Sequence, residues 1–193
     1  MATAEFHFDY RSPYSYLAMT QIGDIALTLH PFDVLDVMKR VGNTPTTITC
    51  KVKGVYARAD MARWAQRYRV PVSRNPQMSE INGQRLLRAT LAITEGPERR
   101  KAAVALFEAM WGNPAALTSP DDVVACLEAA GVALPGDFAG RIDQDDLEAQ
   151  LDLANAAAAE RGVFGSPTFF VGEQMFFGND RLDFLREALE TAA

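Results

Sequence analysis

The sequence predicts an α/β fold in which a β-α-β segment and a β-β-α segment enclose a long helical stretch. Three observations carry this prediction. A short aromatic run, Glu5 to Tyr10, is followed at once by a Ser-Pro pair; helical periodicity then continues without a strand-like break from about 58 to 161; and strand, turn and strand follow between Ser166 and Phe177.

The elements follow in order. Glu5-Phe-His-Phe-Asp-Tyr10 is β-prone, and His7 alternates with Phe6 and Phe8 along it. Ser12-Pro13 marks a helix start, with serine as the cap and proline at the first position, where a missing N–H costs nothing. A helix from Tyr14 to about Ala26 and a second strand over Leu27–Leu35 complete the first half, with Pro31 marking an edge or an end. Further on, Arg58–Tyr68 stops before Pro71, Gln84–Thr94 stops at Gly96-Pro97, and Ala103, Val104, Phe107, Met110 and Trp111 share one face. Ser119-Pro120 opens a helix closed by Gly131, and Asp145–Glu160 is followed by Gly162. Ser166–Val171, a turn at Gly172-Glu173, Gln174–Phe177 and a helix from Asp180 to about Thr191 finish the chain. The two halves together describe a thioredoxin-like layer. The expectation is a single thioredoxin-like domain over 1–193 with a helical insertion at about 58–161.

Composition narrows the function. The chain has 193 residues, 19 Lys+Arg against 25 Asp+Glu, a net charge of −6, and 48% hydrophobic residues, enough for a real core. An acidic chain without a basic cluster lacks the footprint of nucleic-acid binding. No apolar run is long enough to span a membrane and no secretory signal is visible, so the expectation is a soluble, cytoplasmic protein without membrane partners. Cys50 and Cys126 form no C-x-x-C pair and read as small buried hydrophobes. The only histidines, His7 and His30, show no ligand spacing, which argues against a metal site.

Three places carry chemistry. Ser12, where a strand feeds a helix N-terminus, can cap that helix, or its hydroxyl can donate to a thiolate supplied by another molecule and lower that thiol's pKa. Pro167 can simply start a strand; in a cis form it would turn the Ser166 backbone outward, leaving N–H and C=O free for a peptide-like ligand. Asn179 and Asp180 either cap the last helix or hold an amino acid's charged groups. Lys51 and Lys53 fall in a loop. Trp64, Trp111 and Tyr56 either line an apolar pocket or belong to the core.

Taken together, Phe8-Asp-Tyr-Arg-Ser12-Pro-Tyr-Ser-Tyr-Leu-Ala18, Gly42-Asn43-Thr-Pro45, Lys53-Gly-Val-Tyr56, Trp64-Ala65, Phe164-Gly-Ser166-Pro167-Thr-Phe169 and Phe177-Gly-Asn179-Asp180-Arg181-Leu182 resemble the 2-hydroxychromene-2-carboxylate isomerase family over essentially the whole chain. That family is allied to kappa-class glutathione transferases and to disulfide oxidoreductases with a helical insertion in a thioredoxin fold. The resemblance implies a glutathione-dependent isomerase of aromatic degradation, acting on a small electrophile and pairing as a homodimer. It implies that Ser12 activates the glutathione sulfur, that Ser166 before a cis Pro167 clamps the cysteinyl part, and that Asn179 and Asp180, with Arg181 nearby, anchor the γ-glutamyl end. Asn43 and Lys53 resemble kappa-class contacts to the other end of glutathione, with a spacing one residue off. Departures fall on the acceptor side: Met38 stands where the family has a basic residue, Thr47-Ile48 where it has Asn-Arg, and Met78 near an expected aromatic. The rivals are a kappa-like transferase or peroxidase and a non-catalytic thioredoxin-like binding domain. A disulfide oxidoreductase is disfavoured because positions 12 and 15 are both serine.

Overall fold

The structure is a computed structural model that describes residues 2–192. Four strands, β1 (Ala4–Phe8), β2 (Leu27–Pro31), β3 (Thr168–Val171) and β4 (Gln174–Phe177), form one sheet in the order β2-β1-β3-β4. β1 pairs parallel with β2 and antiparallel with β3, and β3 forms the hairpin with β4. The thioredoxin-like architecture is therefore present. The central strand carries the aromatic run because it is covered on both faces.

Strand alternation sorts that run into two cores. Phe6 and Phe8 turn to one face, where Phe6 stacks on Phe8 at 4.9 Å and on Phe169 at 4.7 Å. They join the larger core with Tyr10, Leu17, Phe107 and Leu185. His7 turns to the other face, beside a smaller cluster of Phe32, Val37, Ala158, Val163 and Phe170. Burial there, followed by the neighbouring His30, pushes the His7 imidazole down to about 4.

The helices are α1 (Pro13–Met19), α2 (Val34–Arg40), α3 (Thr46–Thr49), α4 (Lys51–Tyr68), α5 (Gly83–Leu91), α6 (Pro97–Phe107), α7 (Pro120–Ala129), α8 (Phe138–Arg141), α9 (Asp145–Glu160) and α10 (Leu182–Thr191). A π-helical turn, Glu108–Gly112, extends α6, and a 3-10 turn, Asn179–Arg181, precedes α10. No helix is long and apolar enough to cross a membrane, among the described residues.

Several boundaries correct the sequence reading. The first helix ends at Met19, not near Ala26. The second strand stops at Pro31, because Asp33 accepts the N–H groups of Leu35 (3.0 Å) and Asp36 (3.3 Å) and turns Val34–Arg40 into a helix. α4 begins at Lys51, so Lys53 lies on a helix and not in a loop; Cys50 makes no side-chain cap, so nothing in the sequence marks this start. It closes on Arg69 in the left-handed region (φ 57°), a place where glycine is the usual signal. Neither Asn179 nor Asp180 caps the last helix. Cys50 and Cys126 are half-buried, not enclosed. His7 and His30, far apart in sequence, are direct register partners across β1 and β2. Trp111 is core: it is buried and its Nε1–H donates to Tyr10 O at 2.7 Å. Trp64 packs half-buried against the core and Tyr68, whereas Tyr56 is exposed.

Because Phe6 lies in the central strand between Phe8 and Phe169, Phe6→Ala should cost about 3–5 kcal/mol of unfolding free energy, measurable by urea denaturation.

Candidate active site at the end of the central strand

The chain leaves β1 through Asp9, Tyr10 and Arg11 and enters α1 at Ser12. Ser12 N–H donates to Asp9 O (3.0 Å), closing a turn that presents the Ser12 side chain beside the loop before β3. There the Ser166–Pro167 peptide is cis. Three hydroxyls converge. Ser12 Oγ donates to Ser166 O (3.0 Å) and accepts from Ser15 N–H (3.2 Å); Ser15 Oγ and Ser166 Oγ share a hydrogen bond of 2.6 Å; Asp9 N–H donates to Ser166 Oγ (2.9 Å). Ser12 is thus both helix cap and site hydroxyl. The Ser166 backbone is only half as open as the cis geometry suggested, since its carbonyl is taken by Ser12, while its N–H donates to no protein group among the described residues. The helix start contributes less than expected as an anion site, because the Ser15 and Tyr16 amides of this seven-residue helix fold back on Ser12 O.

A charged network fixes this turn from below. Asp9 is fully buried; its carboxylate accepts Arg11 N–H (2.8 Å), Arg11 Nε (3.1 Å), Arg11 Nη2 (2.5 Å) and Val34 N–H (2.9 Å). The same Arg11 Nη2 reaches Asp33 Oδ1 at 2.5 Å, and Asp33 Oδ2 accepts Gln84 Nε2 at 2.8 Å. Burial pushes the Asp33 carboxyl up, but Arg11 and Gln84 outweigh it and hold it below the usual carboxylate range. Gly83 makes room for this arrangement: a Cβ there would lie 2.8 Å from Arg11 Cδ.

The remaining candidates surround the hydroxyls. Asn43 Nδ2 donates to Phe164 O (2.8 Å), tying the loop after α2 to the segment that leads into Ser166. Lys53 lies with Tyr14, Thr47, Val52, Tyr56 and Ala57 around a cleft of about 440 Å³. Tyr14 donates to Asp60 Oδ2 (3.1 Å) and Ala57 O (3.3 Å); burial, then the charges of Asp60 and Asp180, raise its phenol above the ordinary value. Asn179 is buried and bound to Tyr68, whose hydroxyl donates to Asn179 O at 2.9 Å. Asp180 is exposed and pairs with Arg181. Gly178 shapes this turn: its φ is +105°, a Cβ would meet Asp180 Oδ1 at 2.5 Å, and its N–H donates to Pro167 O at 3.0 Å. So Ser12, Ser166 and Pro167 form one bonded unit, the Asn179–Arg181 turn joins it through Gly178, and Lys53 faces Tyr14 across the cleft.

Ser15, Tyr14 and the Asp9–Arg11–Asp33 network were not singled out from sequence as site residues. The spacing of Ser15, three after Ser12 on one helix, was the available signal.

The chain matches the DSBA-like thioredoxin domain over residues 3–190. It is 31% identical to 2-hydroxychromene-2-carboxylate isomerase of Sphingobium xenophagum, covering 97% of each chain, and 28% identical to glutathione S-transferase kappa 1 of Homo sapiens, covering 97% of this chain and 90% of that one. A solved 2-hydroxychromene-2-carboxylate isomerase superposes with a TM-score of 0.86 at 29% identity, covering 98% of this chain and 95% of that chain. The chain belongs to the DSBA-like thioredoxin-domain family and, within it, to the family of the 2-hydroxychromene-2-carboxylate isomerases.

Replacing Asp33 by Asn should cost on the order of 2 kcal/mol at neutral pH, less than a fully buried pair because Arg11 is 30% exposed. The lowered Asp33 pKa stabilises the fold above the ordinary carboxylate value, and this contribution fades as pH falls through the folded value. The gap between wild type and variant in denaturant titrations should therefore narrow below about pH 4.

Proposed function

We propose that this isomerase-family enzyme uses glutathione to isomerise a small unsaturated or aromatic-derived electrophile, as the name of its relatives suggests. The observation that carries the reading is the Ser12 hydroxyl, held 3.0 Å from Ser166 O and next to the Ser166 N–H, which has no partner among the described residues.

The residues present fit a bound glutathione. The Ser166 N–H can pair with a peptide carbonyl, the Asp180 carboxylate with an ammonium group, and Lys53 and Arg181 with carboxylates. Ser12 can turn its O–H from a carbonyl to a sulfur anion without losing its place, because Ser15 N–H still holds its oxygen. Asn43 acts on this account through the Phe164 loop, and cis Pro167 sets the Ser166 backbone. The chemistry that glutathione supplies when bound is a nucleophilic sulfur able to add to an unsaturated carbon and leave again unconsumed. Tyr14, protonated at neutral pH, and the exposed ring of Tyr56 give the acceptor a largely apolar wall that carries two phenol hydroxyls. The rest of the reading is a single cytoplasmic domain that pairs as a homodimer, supported by the exposed Ile48, Val52 and Val55 on α3 and α4.

The similarity to kappa transferases favours one second reading, in which the sulfur stays on the product. Reduced glutathione should raise the melting temperature of the full chain, by the equivalent of about 2.7 kcal/mol at a hundredfold excess over Kd, and Asp180→Ala should weaken this response. No response up to millimolar glutathione would overturn the proposal. Ser12→Ala, which loses a charge-assisted hydrogen bond of about 1.5–3 kcal/mol, should slow turnover roughly 10- to 150-fold. Thiol recovered in full after turnover identifies an isomerase; a thioether product identifies a transferase.

A further inference from the structure

Away from Ser12, toward the beginning of β1, three possible metal donors meet on the face of the sheet opposite Phe6 and Phe8. His7 and His30 are register partners across the parallel β1–β2 pair, with ring centroids 4.6 Å apart and planes 11° from parallel. Glu5 precedes His7 by two residues and therefore projects to the same face. Its Oε2 lies 3.3 Å from His7 Nε2 and 3.7 Å from His30 Nε2, and the donor atoms of all three residues fall within 4.8 Å of one another. A tetrahedral zinc ion with bonds of about 2.0–2.1 Å spaces its donors about 3.3–3.4 Å apart. The carboxylate is already at that spacing from one imidazole and close to it from the other.

Satisfaction of the polar atoms points the same way. The His7 side chain is only 6% exposed and lies edge-on to Phe170 at 5.3 Å. His7 Nδ1 and His30 Nε2 are buried without a hydrogen-bond partner among the described residues, and His30 Nε2 is the atom that faces Glu5. Of the two, His30 Nε2 is the nitrogen that an ion beside Glu5 would satisfy, whereas His7 offers the ion its Nε2, the nitrogen that Glu5 already approaches. Glu5 has its own support: the Arg161 guanidinium pairs with its Oε2, donates to Gly172 O at 3.1 Å, and lies 4.0 Å over the Phe170 ring. An arginine fixed in this way holds Oε2, the oxygen that faces the two imidazoles, as outer groups do at metal centres, and leaves that oxygen a second lone pair for an ion. Glu5 and His30 are partly exposed, which gives the cluster an open side for entry and for a water ligand.

We propose that Glu5, His7 and His30 form a zinc-type divalent cation site, with Arg161 as its positioning residue. Two imidazoles and one carboxylate suit zinc and its neighbours in the transition series, not magnesium or calcium. An ion held there would clamp β2, the edge strand, onto β1. This site is independent of the glutathione reading, since none of its residues touches the Ser12 hydroxyl cluster.

The test uses the full chain, stripped with a chelator and kept free of glutathione, whose thiol binds zinc itself. Zinc is titrated calorimetrically and cobalt(II) by visible absorption. One ion per chain with a Kd on the order of 1 µM, and the cobalt spectrum of a four-coordinate nitrogen and oxygen site, are expected. Since the buried His7 is a poor choice for substitution, Glu5→Gln and His30→Gln are used, each expected to weaken binding at least about tenfold while circular dichroism stays unchanged. Absence of saturable binding up to about 100 µM, or unaltered affinity in both variants, would overturn the assignment.

Discussion

The Arg11 guanidinium, held between the carboxylates of Asp9 and Asp33, is the constraint on which the site depends. Asp9 is the last residue before the turn that carries Ser12, and Asp33 caps the helix after β2, so one side chain locks two strand exits together. The carboxylates are almost wholly buried and each is multiply bonded, which makes the cluster stiff in a way that exposed ion pairs are not. The backbone of Asp9 also donates to Ser166 Oγ, so the same anchor reaches the cis-proline loop. Displacing Arg11 would release both walls of the site at once.

Above this anchor the fold offers hydroxyls where a redox enzyme of the same architecture would need thiols. Ser12 and Ser15 cannot exchange electrons, but Ser12 sits on a backbone carbonyl that it can leave for a stronger acceptor. In the glutathione-dependent reading proposed above, the scaffold supplies position and the reactive sulfur comes from the bound tripeptide. On the proposed reading the chain's two free, half-buried cysteines, Cys50 and Cys126, are not called on.

Much of this was legible in the residues. The Ser-Pro pair, the aromatic strand and the strand-turn-strand near the end each have a local cause, capping or alternation, that the rest of the molecule does not override. The missed features have causes of another kind. α4 starts on an uncapped cysteine and stops on an arginine in a left-handed conformation, so its ends lack local signals. Asp33 reads equally as strand or cap until Arg11 and Gln84 are in place beside it. The convergence of Ser15 with Ser166, and of His7 with His30, is a matter of register and tertiary distance, which residue spacing along the chain does not encode.

α4 shows what this construction permits. None of its eighteen residues is fully buried; half-buried Met61, Trp64, Ala65 and Tyr68 pack against the core, and two phenols add hydrogen bonds, Tyr14 to Asp60 and Ala57 and Tyr68 to Asn179. A helix seated this way opens at low cost compared with the sheet, as segments with few buried apolar contacts do. It also makes one wall of the cleft an adjustable part. Substitutions at Val52 and Tyr56 along that wall would change the shape and polarity of the cleft while the hydroxyls and the arginine anchor stay where they are.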